Sequence, residues 1–142
     1  MKTEEKYKGY FSSRGVAPSM YKDAKLPYYL ENVFPLESSI LDIGCGFGQN
    51  MSALRKAGYT KVRGLDVSAE AVAYCKEQGL PVEQGDVMSY AGSRYDYVLM
   101  SHVLEHLPKD SIIPALKKIR KDILAEHGAI CIMVPNDIVK NS

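Results

Sequence analysis

From Asp42 to Gly48 the chain reads Asp42-Ile43-Gly44-Cys45-Gly46-Phe47-Gly48, three glycines spaced GxGxG with an acid two residues before the first. A glycine loop lets the backbone approach a ligand closely, and a following helix presents unpaired N–H groups beside it, which suits polar or anionic ligand groups. Asp66 lies 22 residues beyond Gly44. A carboxylate at a strand tip can accept both ribose hydroxyls of a nucleoside lying across the strand ends. Asp86, followed by Val87 and Met88, offers an acceptor for an exocyclic amine beside an apolar pair able to sandwich a purine. His102 and His106 are the candidate bases, because only histidine has an unperturbed pKa near neutrality.

Other chemistries fit less well. A dinucleotide fingerprint needs GxGxxG, and its third glycine falls on Gln49. His102-x-x-Glu105-His106 matches HxxEH, a zinc-protease pattern that requires both histidines on one face of a long helix, yet His102 follows directly on a predicted strand, so no metal is expected. Cys45 has no ordered base beside it and reads as a small filler rather than a nucleophile. Asp96 reads as a structural residue at the start of its strand. The three cysteines, Cys45, Cys75 and Cys131, form no CxxC pair and are expected as free thiols.

These residues need elements to hold them. At 142 residues, with 46% apolar and 25% charged side chains, the chain is one globular domain or part of one. Ser39–Ile43 reads as a buried strand running into the glycine loop, and Gln49–Ala57, with Met51 and Leu54 on one face, as the helix that Gly58 stops. Val62–Val67 is a second strand, and Ser68 caps a helix carrying Ala71, Val72 and Cys75 to Gly79. Pro81–Gln84 and Tyr95–Met100 are the third and fourth strands. Asp110 or Ser111 caps a helix with Ile112, Leu116, Ile119 and Ile123 in phase and Gly128 at its end, and Ala129–Val134 is the fifth strand. Leu26, Tyr29, Leu30 and Val33 predict an earlier helix ended by Pro35. Residues 1–25, with scattered Tyr7, Tyr10, Phe11 and Tyr21, read as an irregular arm before a domain spanning 26–142.

Alternating strands and helices predict an α/β fold, a doubly wound Rossmann-like parallel sheet with helices on both faces. In such a sheet ligands bind beyond the carboxyl ends of the strands, so Asp42, Asp66 and Asp86 converge on one crevice.

At this point the sequence resembles the class I S-adenosylmethionine-dependent methyltransferases. Ile40-Leu41-Asp42-Ile43-Gly44-Cys45-Gly46-Phe47-Gly48 is similar to the family's first motif, Gly64-Leu65-Asp66-Val67-Ser68 to its ribose-binding second strand, and Gly85-Asp86-Val87 to its adenine-binding turn. Tyr95-Asp96-Tyr97-Val98 and Ser101-His102-Val103-Leu104-Glu105-His106-Leu107 resemble the fourth-strand motif and the segment after it. The resemblance implies S-adenosylmethionine as cofactor and S-adenosylhomocysteine as product. It implies that Gly44, Cys45, Gly46 and Gly48 form the loop past which the methionine part runs, and that Asp42 binds its amino group directly or through water. Asp66 and Val67 would serve the ribose, Asp86 and Val87 the adenine, and Ser101 and His102 the floor near the sulfonium. It also implies about five strands in the order 3-2-1-4-5.

Methyl transfer from a sulfonium is an in-line displacement on an activated donor, so positioning carries most of the work and a base is needed only where the acceptor must lose a proton. The expected acceptor is a small molecule or a sugar: 18 basic against 17 acidic residues leave no field for nucleic acid, and no Asn/Asp-Pro-Pro-aromatic motif follows the fourth strand. A non-catalytic S-adenosylmethionine-binding module or partner subunit, and an NAD-dependent oxidoreductase, are the alternatives. The longest apolar run, Ala129–Val134, is too short for a membrane span, and the Lys- and Glu-rich start lacks a signal peptide's apolar stretch, so a cytoplasmic protein is expected. Members of the family continue past the fifth strand, whereas this chain stops eight residues after Val134. The expectation is a C-terminally incomplete domain whose fifth-strand edge is covered by further chain, a homodimer or another partner.

Overall fold

The computed structural model describes Leu26 and residues 30–133. The arm expected over 1–25, Val134 and residues 27–29 of the first expected helix lie outside the described residues. β1 (Ser39–Ile43), β2 (Lys61–Asp66), β3 (Val82–Gln84), β4 (Tyr95–Ser101) and β5 (Leu124–Met133) form one parallel sheet in the order β3-β2-β1-β4-β5. That is the topology the resemblance implies. α1 (Gln49–Lys56) follows β1 and α2 (Ala69–Glu77) follows β2. α3 (Lys109–Lys118) follows β4 after a short 3₁₀ turn at Leu104–His106. No helix among the described residues is long and apolar enough to cross a membrane.

The strands are apolar on both sides because both sides are covered. Ile40, Val62 and Leu99 pack with Met51, Leu54, Val72 and Cys75 of α1 and α2, while Leu41, Leu65, Val98 and Met100 pack with Ala115 of α3 and with Ile119 and Ile123. The start of the sheet is pinned by a reciprocal pair: Ser39 N–H donates to Asp96 Oδ2 at 3.0 Å, and Asp96 N–H donates to Ser39 Oγ at 2.9 Å. Asp96 is therefore structural.

Two sequence expectations are corrected. The helix predicted over 26–34 is, in its described part, a turn. Asn32 is left-handed at φ 59° and breaks the helical path, so Leu30 and Phe34 turn inward while Val33 stays exposed. Phe34 instead lies with its ring centre 4.7 Å from that of Tyr97, tilted by 44°, and meets Tyr59 edge-on. Farther along, the helix expected to run to Gly128 ends its α-helical part at Lys118, widens into a π turn at Ile119–Ile123 and becomes β5 at Leu124. Ile119 and Ile123 are fully buried, so the turn keeps its apolar face on the sheet while redirecting the chain. Gly128 lies inside β5 rather than before it. Between the pairs Tyr95–Leu124 and Tyr97–Ala129 the register slips, and a Cβ on Gly128 would lie 2.9 Å from the Asp96 carbonyl oxygen.

Candidate functional site

The C-terminal tips of β1, β2, β3 and β4 and the first turns of α3 enclose a cavity of about 520 Å³. Gly44, Cys45 and Gly46 line it from the loop after β1, and Asp66 and Val67 from the end of β2. Asp86 and Val87 line it after β3, and Ser101, His102 and His106 after β4. The residues expected to act together thus meet in one crevice, with two exceptions. Asp42 and Gly48 stand behind the loop instead of lining the cavity. Gly48 is left-handed at φ 83°, starts α1, and would put a Cβ 2.5 Å from Leu80 Cδ1, so it shapes the seat of α1 on α2.

The loop is held by its own N–H groups. Those of Gly44 and Cys45 donate to the Leu65 carbonyl at 2.7 and 3.2 Å, and that of Gly46 donates to Asp66 Oδ2 at 2.8 Å. The backbone donors of these three loop residues are therefore already paired within the fold. What the glycines supply is a close-lying, open wall. Asp66 Oδ1 accepts from Ser68 N–H at 2.9 Å, and Ser68 Oγ caps α2 by accepting from Ala71 N–H. Asp86 Oδ1 accepts from Ser89 N–H at 2.8 Å, folding the turn that carries Val87 inward and leaves Met88 exposed at the cavity.

Burial sets the electrostatics. Desolvation, with Asp66 nearby, pushes the Asp42 carboxyl up to about 8. Burial also raises Asp66, opposed by the N–H groups of Ser68, Gly46 and Val67. Cys45 is pushed well up by its hydrogen bond with Cys75 and then by burial, which keeps the thiol neutral and unreactive. All three cysteines are free.

His102 follows β4 directly, at φ 58°, with its N–H donating to the Met133 carbonyl at 2.7 Å. Its half-exposed imidazole lies 3.9 Å from Glu105 Oε1, which stands 3.6 Å from His106 Nε2. No group of three or more His, Cys, Asp or Glu side chains among the described residues is placed to hold a metal ion.

Gln49, Met100, Val103, Leu107, Ser111 and Ala115 also line the cavity, and none of them was expected as a site residue from the sequence. Val103 packs its Cγ2 where a Cβ on Gly44 would lie, only 2.5 Å away. No sequence motif marks Ser111 or Ala115; they arrive because α3 packs back over the strand tips.

A family model described as a methyltransferase domain matches residues 40–128. A search of curated proteins finds no match. Among solved structures, the DhpI-SAM-HEP complex is 23% identical, covers 93% of this chain and 66% of that one, and superposes with a TM-score of 0.67. The glycopeptide N-methyltransferase MtfA complexed with S-adenosyl-L-homocysteine is 17% identical over 73% of this chain and 48% of its own, with a TM-score of 0.65. The sugar N-methyltransferase KedS8 from Streptoalloteichus is 19% identical over 87% of this chain and 51% of its own, with a TM-score of 0.63. The chain therefore spans less than two thirds of the length of these proteins, and at such identities the likeness is one of fold.

Proposed function

This chain belongs to the methyltransferase domain family, and on that premise we propose that it binds S-adenosylmethionine at the strand tips and directs methyl transfer to a small-molecule or sugar acceptor. The observation that carries the reading is Asp66, a buried carboxylate at the tip of β2 that holds the glycine loop through Gly46 while facing the same cavity as Asp86 and Val87. The donor set fits the cofactor. Asp66 suits a ribose diol, Asp86 suits an exocyclic amine, and the apolar Val87 and Met88 suit a purine face.

When bound, the cofactor supplies an activated methyl group. The chain's own part is to bind, orient and exclude water. The loop from Gly44 to Gly46 walls the β1 side, and Met100 and Ser101 lie at the cavity at the end of β4. His102 and His106, at the same cavity, are the groups able to take a proton from an acceptor that must lose one, with Glu105 beside both to balance the charge that forms. The N-methyltransferases among the similar folds support an amine as acceptor. Gln49 in place of a third glycine speaks against a dinucleotide.

Calorimetric titration with S-adenosylmethionine, S-adenosylhomocysteine and NAD, on the chain and on Asp66→Ala, tests the reading. Micromolar binding of the first two, lost in the variant and absent for NAD, is expected. Binding of NAD in preference overturns it. Transfer of labelled methyl to a panel of amino sugars then separates an enzyme from a binding module.

A further inference from the structure

Three sulfur side chains, Cys45, Met51 and Cys75, lie buried beneath the glycine loop. A Cβ on Gly64 of β2 would fall 2.7 Å from Cys45 Sγ and 2.9 Å from Met51 Sδ, and one on Gly48 would fall 3.2 Å from Cys75 Sγ. Close packing accounts for the thioether and for the room that Gly64 leaves. It does not account for the direction of the two thiols, which converge on one atom. Cys75 Sγ donates to the Gly46 carbonyl oxygen at 3.3 Å, and Cys45 Sγ donates to the same oxygen at 3.8 Å. The Cys45 thiol, pushed up by its hydrogen bond with Cys75 and by burial, keeps its proton and so remains a donor.

Gly46 lines the cavity and is left-handed at φ 57°. It has no side chain, so the loop can be fixed at this residue only through its backbone. The N–H of Gly46 is held from β2 by Asp66 Oδ2 at 2.8 Å, and its carbonyl is held from α2 by the Cys75 thiol. The peptide units on both sides of Gly46 are therefore anchored to the elements behind the loop. Cys75 is 29 residues away along the chain and does not itself line the cavity. Resting on the S-adenosylmethionine reading, we infer that Cys75 is a positioning residue for the cofactor: its thiol proton, donated to the Gly46 carbonyl, sets the peptide between Gly46 and Phe47 and with it the wall against which the ligand lies. Cys45 supports the same carbonyl at longer range. A thiol is a weak donor, but the Gly46 carbonyl is buried, where a missing donor costs more than the bond itself contributes.

The test sets affinity against stability in Cys75→Ala and Cys75→Ser, made in the full chain. Alanine removes the donor. Serine keeps a donor for the same carbonyl but places a hydroxyl in an apolar cluster, so in urea unfolding it is expected to be no more stable than alanine. In calorimetric titration with S-adenosylhomocysteine the order is expected to reverse. Cys75→Ala is expected to bind about 5-fold more weakly than the native chain, the effect of one net hydrogen bond, and Cys75→Ser to stay within about 2-fold of it. A residue that only fills space would give the same order in both measurements. Native affinity in Cys75→Ala, or a loss in Cys75→Ser as large as in Cys75→Ala, overturns the inference. Raman spectra of the native chain decide the matter where a variant does not fold: part of the sulfhydryl stretching band is expected at the lowered frequency of a hydrogen-bonded thiol, and a band at free-thiol frequencies alone overturns the inference. Failure of the native chain to bind S-adenosylhomocysteine overturns the S-adenosylmethionine reading as well, whereas native binding with both variants equally weakened overturns the role of Cys75 alone.

Discussion

The backbone N–H of Gly46 donates to Oδ2 of Asp66 at 2.8 Å, joining the loop after β1 to the end of β2. The same carboxylate accepts Ser68 N–H through Oδ1 at 2.9 Å, so one side chain holds the loop, starts the turn into α2 and faces the cavity. Removing it leaves two backbone donors without their acceptor as well as deleting the carboxylate proposed to bind the ribose. Asp66→Ala is expected to weaken S-adenosylhomocysteine binding by about 100-fold or more, since charge-assisted hydrogen bonds are worth about 1.5–3 kcal/mol each. Asp66→Asn, which keeps one accepting oxygen, is expected to lose less. Calorimetry on both variants checks the order, and equal losses would show that only the charge matters.

Asp42 makes the free protein's stability depend on pH in a direction unusual for an acid. Its folded value of about 8 lies above the ordinary 3.8, so between roughly pH 4 and pH 8 the native state holds a proton that the unfolded chain has released. Its contribution to stability therefore falls as pH rises through that window and levels off above it. Asp42→Asn is expected to flatten this dependence and to be more stable than the native chain by about 3 kcal/mol at pH 8, a figure discounted from the full shift for relaxation of the site. Urea unfolding at pH 5 and pH 8 reads the difference. A variant less stable at pH 8 would mean that the ionised carboxyl has a partner.

Gly44 is left-handed at φ 71°, and Val103 occupies the space a Cβ would need. Gly44→Ala combines backbone strain with overpacking and is expected to cost about 2–3 kcal/mol. Trimming the neighbour relieves only the overpacking. In urea unfolding, Gly44→Ala with Val103→Ala is expected to cost about 1 kcal/mol less than the sum of the two single changes. Strict additivity would show that Val103 does not hold the loop.

His102 sits at φ 58°, a conformation that costs a non-glycine residue about 1 kcal/mol. Its imidazole is 52% exposed and buries little in return. His102→Gly is expected to raise the melting temperature by a few degrees, at about 2–4 °C per kcal/mol for a domain of about 150 residues, and to lower methyl transfer. Thermal unfolding paired with a transfer assay separates the two roles: a lower melting temperature would mark the histidine as structural, and unchanged transfer would remove it from the reaction.

What local chemistry could specify was legible in the order of residues. The glycines at 44 and 46, the acids at 66 and 86 and the serine cap at 68 act through backbone geometry and strand-end position, which a few neighbouring residues determine. The alternation of strands and helices likewise predicted a doubly wound parallel sheet, because parallel strands need crossover connections, and the resemblance to the class I methyltransferases implied its 3-2-1-4-5 order.

Tertiary packing decided the rest. Apolar periodicity predicted a helix over 26–34, but Asn32 turned the chain so that Phe34 could reach Tyr97 and Tyr59. The same periodicity carried the last helix to Gly128, although burial of Ile119 and Ile123 against the sheet is satisfied by a widened turn that frees Leu124 to pair with Tyr95. Spacing placed Asp42 among the cavity acids, yet it stands behind the loop between Gly64 and Leu99, while Ser111 and Ala115, far along the chain, reach the cavity. Sequence determines which residues lie at the strand tips. Which of them face the cavity, and which are sealed away from water, depends on how α1, α2 and α3 close over the two faces of the sheet.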